Sequence, residues 1–341
     1  MTLTQLNAFT LVARLGSVTA AATALGVSEP AVSQALTALR QHFGDPLIVR
    51  GPSGMRLTPG GARLLGAATQ MVALGAEAEA AVREARGAPE QLRVIATPAI
   101  AEFVAGPLLE AFTRRYPCAL EVSTGVAATS EMGVLVANRL ADVALGPPLA
   151  VGPLSQRGPL DQRLDQRGDL VSEPIFRYKM VVVGAGRGTA SGRGRTITPG
   201  PTSPQGPAGQ TMWLVDPSGA EPDSEVGQLL RWLRVPDQRV RVFANQTAAW
   251  AAAADGAGVA PAPAHLVAHR LRRGELSVVD VPAPAASTWY ATFPARERRA
   301  PAAAALRSFL ATPEAMRLMR EPGAGVPPSR FRPPVYVTIW S

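Results

Sequence analysis

Residues 20–40 read AAATALGVSEPAVSQALTALR. Two Ala- and Leu-rich helical runs are separated by Gly26, Val27, Ser28, Glu29 and Pro30. Glycine stops a helix because it takes the left-handed backbone conformation cheaply. Serine and proline restart one: the hydroxyl can cap free N–H groups, and proline suits the first turn, where its missing N–H does no harm. The spacing predicts a helix over 18–25, capped by Ser17, and another from Ser28 to Gly44. Ala21, Ala22 and Leu25 mark the buried side of the first. Val32, Leu36 and Leu39, at i, i+4 and i+7, mark that of the second. Ser28, Glu29, Pro30, Ser33, Gln34 and Thr37 stay near the outward, N-terminal side. The bend is either a helical hairpin in a core or a second helix held out toward a partner.

Upstream, Thr4 is placed to cap a first helix carrying Leu6, Phe9, Val12 and Ala13, which Gly16 ends. Downstream, DPLIVRGPSGMRLT (45–58) predicts a strand, a Gly-Pro-Ser-Gly turn and a second strand, with Arg50 and Arg56 flanking the turn. A helix-turn-helix followed by a basic ribbon favours the second alternative. Short polar side chains at the start of the second helix suit the DNA major groove. Gln34 can bond adenine bidentately, Glu29 can accept from cytosine N4, and Ser33 can meet a base or a phosphate. Arg50 and Arg56 would hold the phosphate backbone.

Thr58-Pro59 then opens a long helix to about Arg86. Leu64, Ala68, Met71, Gly75, Ala78 and Val82 alternate in steps of four and three, a narrow seam suited to a partner helix. The alternative is packing on its own domain.

The texture changes at residue 92. LRVIAT, ALEVST and ADVALG predict strands alternating with helices, which implies βαβ units and a parallel sheet. IFRYKMVVV (175–183) predicts one strand. Residues 184–210 are rich in Gly, Pro and Ser and predict a loop. MWLVD, VRVF, GVAPAP, LSVVDV and TWYATF predict further strands, and a helix is expected near 301–310. The tail from Pro313 reads as loop, ending in VYVTIW, whose alternation suits an added strand.

Composition bounds the function. The 341 residues carry a net charge of +8, with 33 Arg beside Lys179 alone. That favours a polyanionic partner, although arginine in place of lysine also follows from a GC-rich coding bias. The single Cys118 excludes an internal disulfide and predicts a small buried hydrophobe. No secretory leader and no membrane-length apolar run are legible, so a cytoplasmic protein is expected. VVVGAGRGTASGRG holds a G-x-G after a strand, but the residues that follow cannot open the helix a dinucleotide site needs. His265 and His269 lack a third zinc ligand. No nucleophile or acid–base constellation stands out. No cofactor, no metal and no enzymatic activity are therefore expected.

These features resemble the LysR-type transcriptional regulators. The resemblance rests on FTLVARLGSVTAAATALGVSEPAVSQALTALRQHFGDPLIVR (9–50) and MRLTPGGARLL (55–65). It continues through ADVALGP, LVSEPIF, ADGAGVAPAP and RRGELSVVDV, spanning roughly residues 2–311. Glu29, Gln34 and Arg40 depart from that family's commonest residues, which bears on base preference. The resemblance implies an α+β multidomain chain. A winged helix-turn-helix (1–58) and a dimerising linker helix (59–88) would precede a two-lobed α/β effector domain like a periplasmic binding protein (89–311). Lobe I would hold about 89–168 and 266–311, and lobe II about 169–265. Residues 312–341 run past the usual end of that family, and the alternation over 335–340 suggests an ordered extension that helps assembly. The resemblance also implies a homodimer through the linker helix, a homotetramer, promoter dyad sites on double-stranded DNA, and a small-molecule effector.

In open α/β sheets, ligands gather at the carboxyl ends of strands. Here those ends supply Thr97, Pro98, Ala99, Thr124, Gly125 and Pro147 from one side, and Asn245, Gln246, Thr247, Gly258 and Val259 from the other. Thr97 and Thr247 stand beside helix N–H groups and suggest a nest for an organic anion. Two rivals remain at this point: a solute-binding protein whose N-terminal helices are only structural, and an enzyme on the α/β scaffold.

Overall fold

The structure is a computed structural model that describes residues 1–51, 54–149, 170–186, 211–222, 224–281, 286–295, 299–322 and 335–336. The N-terminal unit is α1 (Leu3–Leu15), α2 (Val18–Leu25), α3 (Glu29–Phe43), β1 (Ile48–Gly51) and β2 (Gly54–Leu57). Thr2, not Thr4, caps α1. Its Oγ1 accepts from Gln5 N, while its own N–H donates to Gln5 Oε1 at 2.9 Å, a reciprocal capping box that Thr4 could not form without a Gln or Glu three residues on. Ser17 caps α2 as expected, and Gly16, Gly26 and Gly44 end their helices with φ between 62° and 67°. Ser28 occupies the cap position of α3 with extended backbone, but its side chain makes no capping bond.

α4 (Pro59–Ala85) rises directly from the β1–β2 ribbon. Thr58 Oγ1 accepts from Gly61 N at 2.9 Å and donates to Asp45 Oδ1 at 2.7 Å. A Cβ at Gly61 would lie 2.1 Å from the Leu47 carbonyl oxygen, so only glycine lets the first turn of α4 close on the ribbon. Leu65, Ala68 and Val72 then join Leu6, Phe9, Leu11, Val32, Leu36 and Leu39 in one core. The expected seam on this helix is thus divided. Ala68 is buried in its own domain, and Gly75 lies against Leu3, whose Cδ1 would be 2.6 Å from an added Cβ. Met71, Ala78 and Val82 face solvent, together with Leu74.

The C-terminal part folds as two lobes. In lobe I, β3 (Glu90–Ala96) is followed by α5 (Pro98–Ile100), a π-helical turn (Ala101–Ala105) and α6 (Gly106–Arg115). Then come β4 (Leu120–Val126), α7 (Thr129–Ala137), β5 (Val143–Gly146) and β6 (Leu170–Tyr178). β7 (Met180–Ala185) opens lobe II, with β8 (Trp213–Val215), α8 (Glu225–Trp232), β9 (Val240–Val242), α9 (Gln246–Ala254), β10 (Ala260–Pro263), α10 (Ala268–Arg272) and β11 (Leu276–Val279). β12 (Ser287–Pro294), α11 (Pro301–Leu310), α12 (Pro313–Arg320) and β13 (Val335–Tyr336) return to lobe I.

The lobe I sheet has the order β13-β4-β3-β5-β12-β6, with β3 parallel to β4 and β5, and β12 antiparallel to β5 and β6. In lobe II, β7 pairs antiparallel with β10 and β11, and β8 pairs parallel with β9. A bridge from Trp213 to Val259 ties β8 to the strand entering β10.

Strand pairing sorts two segments differently from the sequence reading. IFRYKMVVV is not one strand but two, broken at Lys179, and β6 belongs to lobe I through its pairing with β12. β11 belongs to lobe II because it pairs with β7. The tail also differs. Pro313–Arg320 is a helix, capped by Thr312 and burying Ala315 and Met319 at i and i+4, because PEAMRLMR is amphipathic at helical spacing. Val335 and Tyr336 pair parallel with Gly125 and Val126, while the rest of VYVTIW lies outside the described residues. So do residues 187–210, with most of the G-x-G stretch. Cys118 is exposed rather than buried, since it lies in the turn before β4 and outside the sheet.

Candidate nucleic-acid interface and interlobe cavity

One face of α3 is core: Val32, Leu36 and Leu39 are buried. Each contributes about 1.5–3 kcal/mol by leaving water. The opposite face carries Ser28, Glu29, Pro30, Ser33, Gln34 and Thr37, all exposed. Thr37 has already given its hydroxyl proton to the Ser33 carbonyl at 2.9 Å. Arg40 is drawn away from that face. Its Nε donates to Pro46 O at 3.0 Å and its Nη2 to Ile48 O at 3.4 Å, fixing the end of α3 to the start of the ribbon. Sequence reasoning noted Arg40 only as an unusual residue; no local pattern reveals this contact.

Arg50 and Arg56 are both exposed on the ribbon. The register pairs Arg50 with Met55 and Arg56 with Val49. Alternation along a strand therefore puts the two arginines on opposite faces. Met55 and Leu57 pack toward the helical core, so Arg50 shares the inward face and Arg56 the outward one. The cap at Asp45 holds the ribbon's base. The Thr58 hydroxyl first, and the Leu47 N–H second, keep the Asp45 carboxyl below its ordinary range.

This unit rests on lobe I. Arg139, in a left-handed backbone conformation (φ 59°) just after α7, reaches Glu77 of α4, with Nη2 to Oε1 at 2.7 Å. Val134 and Leu140 pack against the N-terminal core.

Between the lobes lies a cavity of about 70 Å3. Lobe I contributes Thr97, Ala99, Thr129 and Pro147; lobe II contributes Ser218, Ser224, Glu225, Val226 and Gln246. Segments near the lobe crossings contribute Tyr178, Met180, Pro261, Pro263 and Trp289. Thr97, Ala99, Pro147 and Gln246 are thus brought together in one cavity.

The others on that side of the prediction do not line this cavity. Pro98 begins α5, and Thr124 and Gly125 lie on β4, where Gly125 pairs with Val335. Asn245 caps α9 by accepting from Ala248 N at 2.8 Å. Val259 is buried in the lobe II core, and Gly258 is packed so that an added Cβ would fall 2.3 Å from Met212 O.

The expected anion nest is already filled by the chain itself. Glu102, on the π turn of lobe I, accepts from Gln246 N at 3.2 Å and Thr247 N at 3.3 Å, and from the Thr247 hydroxyl. The π turn inserts an extra residue into the helix and so re-aims its side chains, a device common at functional sites.

The cavity wall has its own electrostatics. The Tyr178 hydroxyl donates to Glu225 Oε2. Burial, then the Glu225 charge, pushes the phenol's pKa up. Burial also raises the Glu225 carboxyl, opposed by that hydrogen bond. His265 sits among Phe176, Trp289 and Tyr178, at ring distances of 5.0, 5.2 and 5.8 Å. Among the described residues neither of its nitrogens has a hydrogen-bond partner, and burial pulls its pKa down to about 4. Glu131, at the start of α7, is pushed up to about 7 by burial, with the Glu221 charge adding to it. Sequence reasoning missed Tyr178, Glu225, Trp289 and Glu102. Their only local signals were a tyrosine at a strand end and acidic residues near helix starts.

Among the described residues, no three His, Cys, Asp or Glu side chains form a metal-sized group. No described helix is long and apolar enough to cross a membrane.

Comparison with known proteins agrees with this architecture. Residues 3–62 match the family described as bacterial regulatory helix-turn-helix protein, lysR family. Residues 85–313 match the LysR substrate binding domain. An uncharacterized HTH-type transcriptional regulator of Mycobacterium tuberculosis is 34% identical over the full length of both chains. The HTH-type transcriptional regulator PtxR of Pseudomonas aeruginosa is 28% identical over 81% of each. Among solved structures, a full-length OxyR variant from Pseudomonas aeruginosa covers 91% of this chain and 94% of its own, at 18% identity and a TM-score of 0.53. With a helix-turn-helix at one end and a two-lobed domain at the other, the chain belongs to the LysR family of DNA-binding transcriptional regulators.

Proposed function

We propose that α3 reads promoter DNA through Ser28, Glu29, Pro30, Ser33, Gln34 and Thr37, and that Arg50 and Arg56 hold phosphates on either side of the ribbon. One observation carries this reading. The six α3 residues are exposed on the helix whose other face is locked into the core by Val32, Leu36 and Leu39. A rigidly seated helix with a polar leading edge is what base readout requires. In this reading residues 1–58 form the reading head and 59–88 the linker helix, with the two-lobed effector domain after it. Two copies pair along α4 through Met71, Leu74 and Val82, which are apolar yet 42%, 63% and 59% exposed. Pairing of two such dimers into a tetramer would match a dyad operator. The interlobe cavity receives a small effector, and the ligand shifts the lobes only as far as its affinity differs between their two states. The protein acts in the cytoplasm and without catalysis.

Fluorescence anisotropy of the full chain on its own upstream intergenic DNA, against shuffled DNA of equal length, tests this. Native DNA should bind about a thousandfold tighter or more near physiological salt. Gln34→Ala should erode that preference by about 1–3 kcal/mol at one base position. Equal binding of both DNAs, unchanged by Gln34→Ala, would refute the assignment of α3.

A further inference from the structure

We propose that the interlobe cavity selects a small organic cation, an aliphatic ammonium, rather than a carboxylic acid. This rests on reading that cavity as the effector site.

The first ground is that the natural place for a carboxylate is taken. The start of α9 offers two N–H groups and a hydroxyl, and all three already point to Glu102. An anionic ligand would have to displace a carboxylate tethered to the same chain.

The second ground is the state of the remaining polar wall. The Tyr178 hydroxyl proton is given to Glu225 Oε2. The Ser218 hydroxyl donates to Asp216 at 2.9 Å, and the Ser224 hydroxyl donates to Glu221 O at 2.9 Å. These groups have spent their protons inside the protein and can only accept from a ligand. Thr97 and Thr129 keep hydroxyls that can serve either way. Among the described residues Glu225 accepts one bond, from Tyr178 to Oε2, which leaves Oε1 to meet a donor. Beside the N–H groups of Trp289 and Gln246, these acceptors and the Glu225 carboxyl are matched by a donor-rich guest, and an ammonium brings up to three N–H groups.

The third ground is charge and shape. Glu225 lines the cavity beside the rings of Tyr178 and Trp289, whose centroids are 5.0 Å apart. Aromatic faces attract cations through their quadrupoles, and this attraction grows when water is excluded. Glu102 sits at the start of α9, and Asp216, whose carboxyl burial raises, accepts the Ser218 hydroxyl, so acceptor groups also stand behind the lobe II wall. Burial raises the Glu225 carboxyl, and an ammonium set against it would favour the charged form.

Propylamine, propanol and propionate are similar in size and differ in charge, so they separate charge from apolar burial. Their binding to the full-length protein is read by tryptophan fluorescence and calorimetry. Propylamine should bind about tenfold or more tighter than propanol, the scale of one charge-assisted contact, with propionate weakest. In Glu225→Gln the advantage of propylamine over propanol should vanish. The wild-type ranking stands even if that variant folds poorly. Propionate binding as tightly as propylamine or tighter, with tryptophan quenching, would overturn the cation assignment and leave the effector site intact. No binding by any of the three would count against both.

Discussion

Glu102 and Thr247, 145 residues apart in sequence, are joined across the two lobes. The Glu102 carboxylate accepts from the Thr247 N–H at 3.3 Å and from its hydroxyl. A helix start carries partial positive charge, so this contact works both as a cap on α9 and as a tether between lobes. Glu102→Ala removes the acceptor from three donors at once. The expected outcome is a loss of about 1 kcal/mol in unfolding free energy, modest because Glu102 is still in contact with water. Small-angle scattering should show a larger radius of gyration as the lobes separate. An unchanged scattering profile would show that the tether does not set the lobe spacing.

Arg40 gives a second test. Its guanidinium joins α3 to the carbonyls of Pro46 and Ile48. Arg40→Leu keeps some of the stem's packing and removes both bonds. Affinity for native and shuffled DNA should fall together, because the ribbon is displaced while the base-reading edge is untouched. Stability should drop by about 1 kcal/mol. A change confined to base preference would instead make Arg40 a reader.

Oligomerisation along α4 is tested at the exposed apolar positions. Leu74→Asp together with Val82→Asp should halve the mass seen by light scattering, with the circular dichroism spectrum retained. Leu74 and Val82 are exposed within one subunit, so their loss should not unfold it. An unchanged mass would move the interface elsewhere.

The pH dependence of stability carries two opposing contributions. Burial raises the Glu131 carboxyl from near 4.5 to about 7. Between those values the folded chain holds a proton that the unfolded chain has lost, so stability falls as pH rises through this window. Burial lowers His265 from 6.5 to about 4. There the unfolded chain holds the extra proton, so stability rises with pH across that window. Urea denaturation at a series of pH values should therefore show Glu131→Gln more stable than the parent at neutral pH and equal to it near pH 4. A parallel offset at every pH would show that Glu131 titrates normally.

The sequence by itself determined the local elements of the N-terminal unit. Gly16, Gly26 and Gly44 stop helices where the pattern requires. Val32, Leu36 and Leu39 fix which side of α3 is buried, and hence which residues are left exposed. These are short-range effects, decided by capping, backbone freedom and a 3.6-residue period. Thr97, Ala99, Pro147 and Gln246 were legible for a similar reason, as residues at strand ends and helix starts.

Only the tertiary structure decided the rest. IFRYKMVVV has no local signal at Lys179, yet it divides there because β6 finds β12 in one lobe and β7 finds β10 and β11 in the other. The separation of Arg50 and Arg56 onto opposite faces depends on strand register. The filling of the anion nest by Glu102, and the meeting of Tyr178, Glu225 and Trp289 around one cavity, join residues far apart in the chain. No periodicity encodes such contacts. They follow from which surfaces the folded lobes bring together, and that is set by the packing of the whole chain.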